Sequence, residues 1–217
     1  MRRRAGWVLT VGAAALLTIS CGSDEAPTPA GGEPHPAAKA VTTWLAHLDG
    51  GDDAAAFADL SPRSRQAVGD LANYRRGSSR FAAAYERFAS GDVGEALSVA
   101  DDLAVVTLHV RRPTEAVAAV PVRRVGDGWR VDPVLDVGSY SFRPDDGDEV
   151  GPRPEMVVQL DDPDTAAVSW FDGRRAEADG TTFRPSNDLS PGWHVVTVAL
   201  VRGDDIVARA FRLHVEG

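Results

Sequence analysis

The chain has 217 residues, with 23 Lys and Arg against 32 Asp and Glu, a formal charge of −9 and a single cysteine. That acidic balance argues against nucleic acid as a partner, because nucleic-acid binders carry basic patches, and against electrostatic adhesion to anionic lipid. A lone thiol excludes an internal disulfide and removes most zinc and thiol-redox chemistry.

The first segment is Met1-Arg2-Arg3-Arg4 followed by an uncharged apolar run, Ala5 to Ser20. A basic start, an apolar stretch and a small residue make the layout of a secretory signal over residues 1–20. The run is shorter than the roughly 20 apolar residues a spanning helix needs. The small residue Ser20 precedes Cys21, and Gly22-Ser23-Asp24 follows. This resembles the lipobox of bacterial lipoproteins. Ile19, Ser20 and Cys21 fit its last three positions, and Thr18 stands where the pattern prefers Leu. The resemblance implies cleavage before Cys21 and a diacylglycerol on its sulfur. Two acyl chains anchor stably where one is marginal, since each buried CH₂ contributes about 0.8 kcal/mol. The expected address is therefore the cell membrane, lipid-anchored, on its extracytoplasmic face, with membrane lipid as the partner of acylated Cys21. The residues flanking the arginine run do not complete a twin-arginine export motif.

Losing the three arginines of residues 1–20 takes the formal charge from −9 to −12. Acidity of that size keeps a tethered protein soluble. Lys39 is the sole lysine and alanine is abundant, a composition of the high-GC, actinobacterial type. Residues 21–37 are rich in Pro, Gly, acids and small side chains, which cannot build a core, so they are expected to form a disordered tether.

From Ala38 the pattern turns helical. Val41, Trp44, Leu45 and Leu48 make an i, i+3, i+4, i+7 stripe, stopped by Gly50-Gly51. Asp52 to Phe57 reads as a short helix with acids at its start. Ser61-Pro62 is a cap followed by proline at the first helical position, opening a third helix towards Leu71. A fourth is expected from Ser79 to Gly91. The period then falls to two. Ala104, Val106, Leu108 and Val110 alternate with Val105, Thr107, His109 and Arg111. Val117 to Val125 is a second run, and Gly126-Asp127-Gly128 turns it into Trp129-Arg130-Val131.

Helices carrying AVTTWLAHLDGGDDAAAFADLSPRSR, followed by strands closing on VPVRRVGDGWRVDP, resemble the nuclear transport factor two superfamily. The resemblance implies that residues 38–136 form an α+β cone, with helices packed on a curved antiparallel sheet. The closing hairpin also resembles those of bacterial lipoproteins and of domains attached to cell-wall transpeptidases. Residues 137–151, with Asp145-Asp146-Gly147-Asp148-Glu149, read as a linker. Residues 152–217 hold short alternating strands and turn signals with no helical segment, which points to an all-β sandwich. DLSPGWHVVTVALV is similar to the corner before strand F in bacterial Ig-like domains, where a Tyr follows two residues after a Gly. Here Gly192 is followed by Trp193 and His194. The expected fold is thus an α+β cone plus a C-terminal all-β Ig-like sandwich.

Some members of the cone superfamily are isomerases or cyclases that use an Asp base helped by Tyr, His or a second acid. His47, Asp70, Tyr74, Tyr85 and His109 are the polar candidates, and they form no motif. His47 and His109 are expected on exposed faces. The acidic pairs Asp52-Asp53, Asp101-Asp102, Asp161-Asp162 and Asp204-Asp205 sit mostly at turns, where Asp is favoured anyway. DDGDE in the linker offers oxygens to calcium but lacks EF-hand spacing. No metalloprotease, hydrolase-elbow, phosphate-loop or zinc spacing occurs, and no cofactor is expected. Of the tryptophans, Trp170 and Trp193 are the candidates for an exposed ligand-binding surface, such as a carbohydrate platform. The leading expectation is a non-enzymatic envelope lipoprotein that binds or scaffolds an unknown protein or cell-wall partner. A small-ligand or enzymatic pocket in the cone is the alternative. An accessory role in cell-wall synthesis rests on family analogy alone.

Overall fold

The computed structural model describes residues 33–76, 88, 91–110, 115–133 and 139–217. The signal, Cys21 and Tyr85 lie outside them. Among the described residues no helix is long and apolar enough to cross a membrane.

Three short helices come first: α1 (Pro36–Asp49), α2 (Asp53–Ala58) and α3 (Pro62–Val68). Local chemistry sets each start. His35 caps α1, Asp52 accepts the Ala55 amide at α2, and Ser61 accepts the Ser64 amide at α3. Residues 71–76 are also helical. Among the described residues thirteen strands follow, in three sheets. The first is an antiparallel meander of β1 (Asp92–Ala100), β2 (Leu103–Val110), β3 (Ala116–Val125) and β4 (Gly128–Val131). The second has the order β10 (Glu177–Asp179), β11 (Thr182–Arg184), β7 (Met156–Leu160), β5 (Tyr140–Arg143). The third has the order β6 (Glu149–Val150), β13 (Asp205–Val215), β12 (Gly192–Arg202), β8 (Ala166–Phe171), β9 (Arg174–Arg175), with β6 parallel to β13.

These layers overturn the expected cone-plus-Ig-like-sandwich architecture. The chain is predominantly β, and its three sheets stack on one another. The apolar stripe of α1 covers one face of the first sheet, against Val106, Leu108, Val120 and Val122. The opposite face is buried as well: Leu97, Leu103, Val105 and Ala119 pack on Trp170, Ala199, Ile206 and Ala208 of the third sheet. A sheet covered on both faces is a layer in a stack, so it does not wrap around helices. Alanines at 119, 199 and 208 let the two sheets approach closely, as small residues at facing positions do. The other face of the third sheet packs Val196, Val198, Leu200, Phe211 and Leu213 on Met156, Val158 and Phe183 of the second. Pro34–Gly217 is one compact unit. Within the interval expected as a linker, residues 140–143 and 149–150 are strands β5 and β6.

One buried polar knot ties the layers. Asp132, directly after β4, is fully buried. Its Oδ1 accepts the hydroxyls of Ser61 and of Ser64, the latter at 2.6 Å, and its Oδ2 accepts Arg123 Nε at 3.0 Å. Arg123 in turn donates to the Asp204 carbonyl at 2.6 Å, at the β12–β13 turn, where Arg63 also pairs with Asp205. Removing one member of a buried charged network strands the others and costs about 3–5 kcal/mol. Asp132→Ala should therefore lower stability by about 3–5 kcal/mol in urea unfolding followed by circular dichroism. A loss below about 1 kcal/mol, the scale of an exposed pair, would overturn this account.

Candidate functional site

The polar candidates for a cone pocket do not converge. His47, on the last turn of α1, places Nδ1 2.6 Å from Asp59 Oδ2, with a third of its side chain exposed. Asp59 lines a cleft of about 200 Å³ with Lys39, Thr43, Trp129 and Arg130. Asp70 accepts the Asn73 amide at 2.7 Å, which starts the helical stretch at 71–76. Tyr74 is buried in the helix-side core against Phe57. His109 belongs to the other face of the first sheet. Alternation along β2 puts Val106 and Leu108 against α1 and Val105 against the third sheet, so Thr107 and His109 fall on the latter side. Gly94 makes room for them: a Cβ there would lie 2.3 Å from Thr107 Oγ1 and 3.2 Å from His109 Nε2.

The acidic pairs are occupied structurally. Asp52 caps α2, Asp102 and Asp204 face Arg123 and Arg63, and Asp162 holds Arg202 at 3.1 Å. The DDGDE stretch grips β13, where Asp146 Oδ1 accepts the Arg212 amide at 2.8 Å. Among the described residues no three His, Cys, Asp or Glu are grouped to hold a metal ion.

The two tryptophan candidates separate. Trp170 is only 3% exposed, sealed between the first and third sheets with the Arg175 guanidinium 5.7 Å from its ring. Trp193 is 52% exposed. It lies on the same face of the third sheet, at the opening of β12. Its cross-strand partner is His214, with ring centroids 5.0 Å apart, and the Arg212 guanidinium sits 4.9 Å from its ring. Arg212 is itself fixed by Glu115 at 2.9 Å.

The corner that presents Trp193 is the Gly192-Trp193-His194 run, and a partner far along the chain holds it. Gly192 has φ +126°, which a side chain would resist. His194 points to the opposite face, and both its ring nitrogens find oxygen: Asp172 Oδ2 at 2.5 Å and the Ser190 carbonyl at 2.7 Å. Asp172 carries φ +47° in the turn after β8, and its Oδ1 also accepts the Val195 amide. Asp is among the few residues that tolerate this conformation. The His194–Asp172 partnership spans 22 residues and was not legible in the sequence. The result is an anchored, half-exposed indole beside a cation, a surface for stacking and cation–π contact.

No protein-family model and no curated protein matches the chain. Among solved structures, 37% of this chain is similar to 20% of the endo-beta-1,4-mannanase from Thermotoga petrophila, at 16% identity and a TM-score of 0.28. The chain thus spans about a fifth of that enzyme's length, and a likeness at this level carries no argument about function.

Burial pushes the Tyr74 phenol above its ordinary value, the neighbouring Trp44 indole opposes the shift, and the Asp53 and Asp59 carboxylates add to it. A raised phenol pKa gives stability that is present below the unfolded value of about 10 and is lost as pH climbs through the folded one. In an ultraviolet titration, one of the three tyrosines should ionise later than free tyrosine, and Tyr74→Phe should remove that component. A late component that survives the substitution would refute the assignment.

Proposed function

We propose that the chain is a non-enzymatic binding module, anchored through acylated Cys21 to the extracytoplasmic face of the cell membrane, that holds an envelope partner on its Trp193 surface. One observation carries the reading: Trp193 stands 52% exposed between Arg212 and His214 while most large apolar side chains are buried. Tryptophan and arginine are the residues that most often dominate binding energy at interfaces. A rigid, partly wet indole costs little entropy to immobilise when a partner arrives. The acidic chain and its Pro/Gly-rich residues 21–34 fit a body held off the membrane by a tether; the expected tether ends earlier than 37 because His35 caps α1 and Ala37 is buried. The anchoring part of the reading rests on the Ile19-Ser20-Cys21 match and on the length of the apolar run before it.

The two parts are tested separately. Wild-type protein should enter the detergent phase and carry acyl groups, whereas Cys21→Ser should stay aqueous and unmodified. A Cys21→Ser protein that remained acylated would end the lipoprotein reading. For the binding surface, purified protein is sedimented with isolated cell-wall sacculi and with washed membranes. Trp193→Ala should weaken co-sedimentation by about 10-fold or more, as expected of a dominant aromatic contact, while the melting midpoint stays unchanged. Equal retention of the two proteins would remove Trp193 from the binding surface.

A further inference from the structure

A second groove, of about 380 Å³, lies at the second sheet and is lined by Val157, Leu160, Asp162, Pro163, Thr165 and Thr181. Every residue around it is described. Three features give it a chemical character.

The first is an open strand edge. The Asp161 amide donates to Ser139 O, which continues the β5–β7 ladder. In an antiparallel ladder, alternate residues direct their N–H and C=O to opposite neighbours. Residues 157 and 159 therefore bond towards β5, and residues 156, 158 and 160 point the other way. On that side the Val158 amide donates to Thr181 O, at the turn between β10 and β11. The β11 register ends at Thr182↔Val157. The main-chain N–H and C=O of Leu160 consequently face the groove with no strand beside them.

The second feature is Thr165. It is 7% exposed, lines the groove, and its hydroxyl has no hydrogen-bond partner among the described residues. A buried polar group left unpaired is costly, so native proteins rarely keep one without a use. The third feature is charge. Asp161 and Asp164 are exposed on the rim beside Asp162. The Asp164 amide and Arg202 hold the Asp162 carboxyl below the usual range, and since Arg202 pairs with Asp162, it is Asp161 and Asp164 that make the rim acidic.

The geometry points to a peptide-docking site: an extended, basic segment of a partner protein lies beside the last residue of β7, past the end of β11, pairs with the main chain of Leu160, and hydrogen-bonds the Thr165 hydroxyl. An extended peptide supplies an N–H and a C=O side by side, which is what the open edge lacks. Basic side chains at alternate positions match the acidic rim. Exposed strand edges are ready templates for such addition, and here the Pro163 turn leaves room for only a short segment. The site is independent of Trp193, which lies on the third sheet.

The test uses the full-length protein in detergent micelles and a synthetic heptapeptide of alternating Val and Lys. Amide hydrogen exchange at Leu160 reports pairing, and titration reports affinity. The peptide should slow exchange at Leu160. Methylating its backbone nitrogens should abolish the slowing, and a Val–Glu version should bind more weakly. Thr165→Val, which keeps the shape and removes the hydroxyl, should lower affinity about 5-fold, the scale of one hydrogen bond, with an unchanged or higher melting midpoint. Trp193→Ala should leave the peptide's effect intact. The proposal is overturned if Leu160 exchange does not slow, if the N-methylated peptide protects it equally, if Thr165→Val binds as tightly, or if Trp193→Ala abolishes the effect. The N-methylated peptide keeps the test decisive should Thr165→Val fail to fold.

Discussion

The Asp132 carboxylate is withdrawn from water and must be paired where it sits. Burying an ion costs several kcal/mol, which only good geometry and further hydrogen bonds offset. Two serine hydroxyls from the start of α3 and the Arg123 guanidinium from β3 supply both. The consequence reaches well past the site. With Nε committed to Asp132, Arg123 extends NH2 to the Asp204 carbonyl in the turn joining β12 to β13. That hairpin is the centre of the third sheet, packed on one face against the first sheet and on the other against the second. Each of its strands has 11 residues, so at about 3.3 Å per residue it spans roughly 35 Å. One end is pinned by the buried knot. The other end carries Trp193 and His214.

Position along that hairpin decides what each aromatic does. Trp170, Trp193 and His214 share one face of the third sheet. Where the first sheet covers that face, Trp170 fills the space between layers. Trp193 sits beyond the cover. Identical residues thus serve packing in one place and presentation in the other, and the difference lies in what the first sheet reaches.

This explains which parts of the architecture were legible in the residues. The α1 stripe was: Val41, Trp44, Leu45 and Leu48 are all buried, because a helix on a sheet needs only one apolar face. The Ser61-Pro62 cap was legible too, although the second bond of that serine, to a residue 71 positions away, was not. The strand alternation of β2 was read correctly as strand and wrongly as one-sided. Val105 and Thr107 are buried along with Val106 and Leu108, and strands buried on both faces lose the polar alternation that marks a wet side. The Asp145–Glu149 stretch looked like a linker because it is acidic and short of apolar side chains. Its work is done by the Asp146 carboxylate on the Arg212 amide and by main-chain bonds along β13, and composition does not reveal such bonds. Trp193 was nameable as a candidate, but its neighbours Arg212 and His214 come from a strand that the sequence does not place beside it.

Polar satisfaction separates the structural sites from the binding sites. At Asp132 both carboxylate oxygens are used, and at His194 both ring nitrogens are. Such closed networks rigidify and specify a fold, and they leave nothing over for a ligand. The Trp193 surface and the groove beside β7 are open by the same measure. The first leaves half an indole in water, and the second leaves a buried hydroxyl unpaired and the side of Leu160 away from β5 without a strand beside it. Thr165 shares its unpaired state with Arg63 Nε and Tyr74 OH, which are also buried, but of these it is the one that lines a groove; such deficits count against a folded domain's margin of only about 5–15 kcal/mol. The knot at Asp132 fixes the hairpin on which the open indole stands.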